Sequence, residues 1–188
     1  MRRRIAFLAA ALLALSGSLP AADPKPIETF KAFAASLGTG KANVLTIVIS
    51  RWSTDQEREM LLETLQEFGR DKLIDALIKI RPTVGYMRLP NSMGYDLYYA
   101  RDNVSPDGSR HVVIATNRYV NFREVQNNTR SMQYQLTLIE IHLDRDGKGE
   151  GKMVPAAKVS WDKKEKKIEV ENYNALPVDL LNVTSTKA

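Results

Sequence analysis

The chain has 188 residues, no cysteine and two histidines. That excludes a disulfide framework, thiolate nucleophiles, Cys-based zinc or iron–sulfur sites and a lipid-modified leader cysteine. The formal charge of +5 falls to +2 once Arg2, Arg3 and Arg4 are removed with a leader, too small a basic excess for a nucleic-acid-binding face.

Residues 1–22 read as a secretory signal peptide. Arg2 to Arg4 form a charged start, Ile5 to Leu15 an apolar run, and Ser16 to Ala22 a small, turn-prone close. The run is shorter than the roughly 20 apolar residues a spanning helix needs, and nothing downstream resembles a stop-transfer segment. The expected mature chain begins near Asp23, goes to the periplasm or outside the cell, and is not an integral membrane protein. Residues 23–188 fit one domain long enough to bury a core without covalent staples.

In chain order, Glu28 to Leu37 alternates imperfectly, with Phe30, Ala32 and Ala34 opposite Phe33. It reads as a strand, a short helix being the alternative. Gly38-Thr39-Gly40 is a turn, and Val44 to Trp52 a second strand. Ser53 and Gln56 have capping-box spacing, with Thr54 and Asp55 as alternative caps. They open a helix whose stripe is Leu61, Leu65 and Phe68. Gly69 closes that helix, and a second, Asp71 to Ile80, runs to the Pro82 stop.

Beyond Thr83 the pattern is β. Expected strands are Val84 to Leu89, Tyr95 to Arg101, Arg110 to Thr116, Tyr134 to Leu143, Lys152 to Trp161, Ile168 to Asn172 and Val178 to Val183. The turns between them are Pro106-Asp107-Gly108, a Gly-rich loop from Asp144 to Gly151, and a charged turn from Asp162 to Lys167. Lys163, Lys164, Lys166 and Lys167 fall in that turn beside Glu165, as a solvated hairpin tip rather than a phosphate site. Asn121 to Asn128 has room for one helical turn. The expected fold is α+β: an antiparallel sheet curled into a sandwich or partly closed barrel, with an inserted two-helix hairpin across one side or plugging one end.

Three places could carry chemistry. Asp144, Asp146 and Glu150 resemble the first half of a calcium loop, but Pro155 stands where a bidentate acid is needed, and a hairpin whose Asp and Gly residues satisfy turn geometry is the plainer reading. Glu140 and His142 are two apart on one strand and so share a face, suited to acid–base work. No nucleophile signature or second metal ligand is near them in sequence, and a polar outer face is the plainer reading. Tyr95, Tyr98 and Tyr99, around Asp96 and Arg101, could line a cleft or simply serve as amphipathic sheet residues. The G-x-S-x-G elbow, H-E-x-x-H, P-loop and G-x-G-x-x-G motifs are all missing. Two histidines without cysteine argue against a transition-metal enzyme.

Several short runs together resemble a group of uncharacterised secreted bacterial proteins, a domain of unknown function. They are Arg51-Trp52-Ser53-Thr54-Asp55-Gln56-Glu57, Val84-Gly85-Tyr86 with Leu89-Pro90, Gly94-Tyr95-Asp96-Leu97, Arg130-Ser131-Met132, Gly147-Lys148-Gly149-Glu150-Gly151-Lys152 and Glu171-Asn172-Tyr173. The resemblance implies secretion and a single domain, and no activity, cofactor or site residue. The expected function is a non-enzymatic exported module of the bacterial cell envelope. Its partner would be a small ligand, an envelope component or a protein, with no cofactor and no nucleic acid. The alternatives are a cofactor-free hydrolase using Glu140 with His142, and a calcium-stabilised structural protein.

Overall fold

A computed structural model describes residues 25–35, 42–90, 93–117, 136–172 and 177–188. The expected leader, the Gly38-Thr39-Gly40 turn and Asn121 to Asn128 lie outside these residues. The described elements are β1 (Glu28–Ala35), β2 (Ala42–Ile49), α1 (Asp55–Phe68), α2 (Arg70–Leu77), β3 (Gly85–Arg88), β4 (Tyr95–Leu97), β5 (Tyr99–Val104), β6 (Arg110–Thr116), β7 (Leu136–Leu143), β8 (Lys148–Asp162), β9 (Lys167–Asn172) and β10 (Val178–Lys187). All strand pairs are antiparallel, in the order β4-β3-β2-β1-β10-β8-β7-β6-β5, and β9 branches from the far end of β8. The α+β expectation holds, in the form of a nearly closed barrel.

Period-two burial explains the closure. Phe30, Ile47, Met87, Leu97, Ala100, Ile114, Ile141, Met153 and Leu180 come from nine different strands and meet in one cluster. Their neighbours point the other way. The interior is therefore packed with side chains, as narrow barrels are. The helical hairpin does not plug an end. Leu61, Leu65, Leu73, Ile74 and Leu77 pack instead on Tyr98, Ala115, Leu136, Ala157 and Val159, a separate cluster on the outer face of the sheet.

Ser53 has a different role from the one its spacing suggests. The capping box lies one residue later: Thr54 Oγ1 accepts from Glu57 N–H (3.1 Å), and Glu57 accepts from Thr54 N–H (2.9 Å). Buried Ser53 instead bridges to β5. Its N–H donates to Ala100 O (2.7 Å), and its Oγ accepts from Ala100 N–H (3.1 Å). These bonds join the segment after β2 to the last strand of the sheet, helping to close the barrel. Ser53→Ala leaves the Ala100 N–H without that acceptor. Urea unfolding is expected to show a loss of about 1–3 kcal/mol, the penalty for an orphaned buried donor; a loss within error would mean the bridge does not matter.

Other boundaries shift for local reasons. The expected strand Tyr95 to Arg101 is two strands, because Tyr98 N–H turns to Ala115 O (3.1 Å) and the chain passes from pairing β3 to pairing β6. The expected second helix ends at Leu77 rather than Ile80. Lys79 and Ile80 donate three residues back, to Ala76 and Leu77, so the last turn tightens before Pro82. Phe68, expected on the apolar stripe, is the last residue of α1 and lies exposed in the outer groove with Met60, Thr64 and Lys72.

The expected loop Asp144 to Gly151 is only the turn Asp144 to Gly147, and β8 begins at Lys148. Gly149 and Gly151 are strand residues. A Cβ on either would overlap a β7 carbonyl oxygen, of His142 and Glu140 respectively, so these glycines admit a close approach of β7 and β8.

Candidate functional site

β6, β7 and β8 lie side by side, and their outward residues form one continuous surface. Outward from β6 come His111, Val113 and Ala115. β7 contributes His142, Glu140, Leu138 and Leu136, and β8 contributes Glu150 and Lys152. The hairpin covers one end of this surface, which is why Leu136 is buried despite sharing a face with Glu140. The other end is polar. The surface thus divides into an apolar half under the helices and a charged half beyond them.

The apolar half holds a pocket of about 280 Å³. Leu61, Leu62 and Leu65 of α1, with Leu73 and Leu77 of α2, form one wall. Val113, Ala115, Leu136, Leu138 and Val159 form the floor, and Ile168 and Val170 of β9 the other wall. Ile168 and Val170 remain 51% and 50% exposed, an unusual state for β-branched side chains aimed at an apolar wall. Arg58 and Tyr99 supply the polar groups. Burial raises the Tyr99 phenol above its ordinary range, so at neutral pH it is a hydroxyl donor. Of the three tyrosines suggested as cleft residues, only Tyr99 lines this pocket. Tyr98 is buried beneath the hairpin with Arg81 over its ring, and Tyr95 packs on the barrel core.

Anchors set the hairpin over the sheet. Arg51 makes a two-pronged bond to Glu57 (2.9 Å each) and donates to Pro82 O, so one guanidinium holds both ends of the hairpin. The Arg51 hydrogen bonds hold the Glu57 carboxyl below its ordinary range. Arg101 on β5 pairs with Asp55 at the start of α1 (2.6 Å).

In the polar half, the antiparallel register sets His111 opposite His142 and Val113 opposite Glu140. The two imidazoles stack, with centroids 4.6 Å apart and planes within 5°. Glu140 Oε1 lies 2.6 Å from His111 Nε2 and 3.3 Å from His142 Nε2. The chain's two histidines therefore share one carboxylate. Sequence places Glu140 and His142 together but not His111, because 19 residues separate β6 from β7 and no short turn sets their register. A groove beside the trio is lined by Glu150, Gly151, Lys152, Asp179 and Leu181. These offer carboxylates and an ammonium but no hydroxyl nucleophile, so an acid–base pair there would have to act on water.

The calcium-loop residues are not brought together as a ligand set. Asp144 Oδ1 accepts from the N–H groups of Asp146 and Lys148 (2.9 Å each), closing the hairpin turn. Glu150 lies on β8, opposite His142.

No helix among the described residues is long and apolar enough to cross a membrane. Comparisons with protein-family models, curated proteins and solved structures return no match, so the site is read on its geometry.

Proposed function

We propose that the protein is an exported binding module that takes a small apolar or amphipathic molecule, an acyl chain being the chemical class that fits, between the hairpin and the sheet. The observation that carries this reading is the pocket itself. Its lining is apolar except for Arg58 and Tyr99, its β9 wall is half exposed, and it adjoins a packed barrel that offers rigid support. Ligand sites are typically concave and apolar with a few placed polar groups. Arg58, exposed at the rim, suits an anionic head. The leader motif supports export to the periplasm or beyond.

The test uses N-phenyl-1-naphthylamine fluorescence on the purified chain, with a medium-chain fatty acid as competitor. The expected result is saturable binding that the fatty acid displaces. Ile168→Glu with Val170→Glu should weaken probe binding at least about tenfold by placing charge in the apolar wall. Both side chains are half exposed, so the melting temperature should hold. Failure of the fatty acid to displace the probe, or undiminished binding by the double variant, overturns the assignment.

A further inference from the structure

We infer that His111, Glu140 and His142 bind one divalent transition-metal ion, of the Zn²⁺ or Cu²⁺ class. The inference is independent of the apolar pocket. One imidazole nitrogen from each histidine and one carboxylate oxygen lie within 4.8 Å of one another. All three side chains stand on adjacent strands whose alternate residues, Val112, Ile139 and Ile141, are locked in the barrel core. A sheet that is rigid on one face presents its other face as a fixed template, which a metal site needs.

The donor set selects the ion. Two imidazoles and one carboxylate match Zn²⁺, Cu²⁺ or Ni²⁺, whereas Ca²⁺ and Mg²⁺ take oxygen ligands. Zinc–ligand bonds of roughly 2.0–2.1 Å place two ligands of a tetrahedral ion about 3.3 Å apart. The His142–Glu140 separation is already 3.3 Å. The His111–Glu140 separation of 2.6 Å is a hydrogen bond; an ion takes its place as the pair opens and the stacked rings tilt toward it, the proton passing to the other nitrogen of the His111 ring or to solvent. The side chains have room to do so, being 38%, 52% and 61% exposed for His111, Glu140 and His142. Three protein ligands leave a coordination position open to water or to a ligand from another molecule. Glu150, opposite His142, adds negative charge, and Lys152, opposite Glu140, adds positive charge.

The experiment is calorimetric titration of ZnCl₂ into the full exported chain, purified without a polyhistidine tag and stripped with chelator. A parallel titration uses CaCl₂. The expected result is one equivalent of Zn²⁺ bound with a dissociation constant of about 10 µM or tighter, and no competition from Ca²⁺. His111→Gln and His142→Gln should each weaken Zn²⁺ binding at least about tenfold, with the circular dichroism and metal-free melting temperature unchanged. Glu140→Gln, which keeps the shape and removes the charge, should also weaken it and serves if a histidine variant folds poorly. Unsaturable binding, binding unchanged in these variants, or displacement by Ca²⁺, which would point to carboxylates such as those of the Asp144 turn, overturns the inference.

Discussion

Replacing Arg110 by leucine is expected to destabilise the protein by about 3–5 kcal/mol, the range for breaking a buried ion pair by removing one partner. Arg110 on β6 reaches Glu28 on β1 through two bonds, Nη1 to Oε1 (2.6 Å) and Nη2 to Oε2 (2.8 Å). It also holds Asp102 on β5, with Nη2 to Oδ2 at 2.7 Å. Ser185 of β10 donates to the same Glu28 carboxylate. In the sheet order, β1 and β6 are separated by β10, β8 and β7, so the guanidinium links strands that are not hydrogen-bonded neighbours. Both Glu28 and Arg110 are buried. The variant therefore strands a carboxylate away from water.

The pH dependence follows in sign. Burial pushes the Glu28 carboxyl upward, but the hydrogen bonds from Arg110 and Ser185 and the charge of Arg110 outweigh it, leaving it below its ordinary value of 4.5. A depressed native value means stability that is present above pH 4.5 and lost as pH falls through the lower native value. In Arg110→Leu the same carboxyl keeps only the Ser185 hydrogen bond and the charge of Lys187 against its burial, so its value rises. The stability gap between the two proteins should therefore narrow as pH falls from 7 to 4, measured by urea unfolding at each pH. The double variant with Glu28→Gln should recover part of the loss at pH 7, because the neutral amide needs no countercharge. A gap that is constant with pH would locate the loss in packing rather than in charge.

Phe30→Ala is expected to cost about 3–5 kcal/mol, the range for emptying a buried aromatic site, while Phe33→Ala should stay within about 1 kcal/mol. The two phenylalanines are three residues apart on β1. Phe30 is fully buried in the barrel cluster, and Phe33 is 49% exposed. On a helix, residues three apart share a face and both would be costly. On a strand they point to opposite faces. Paired chemical unfolding curves thus separate the strand from the helix that the sequence left as an alternative; equal losses would refute the strand.

The candidate site was legible only in part. Period two put Glu140 and His142 on one face, and the apolar set Ile139, Ile141 and Leu143 opposite them is the buried one. The partner His111 was hidden, because cross-strand register over a long connection depends on the whole sheet rather than on a turn. The same holds for Glu28 and Arg110, each of which reads in sequence as a charged residue at the start of a strand. Leu136 and Leu138 stand on the same face as Glu140. Nothing local says that the hairpin covers one end of that face and leaves the other to water.

What the sequence determined by itself is what short-range periodicity and backbone chemistry control. Alternation built the strands, 3.6-residue spacing with a cap built the hairpin, and Pro106-Asp107-Gly108 and Asp162 to Lys167 made the turns. Strand ends expected at Glu28, Tyr95, Arg110, Thr116, Leu143, Asn172 and Val178 fall at those residues in the structure. Only the tertiary structure decided that the sheet nearly closes, that Ser53 serves the barrel rather than the helix, and that two histidines 31 positions apart share one carboxylate. Those outcomes rest on long-range pairing. Its free energy comes from burying faces contributed by many strands at once, so no single segment encodes it.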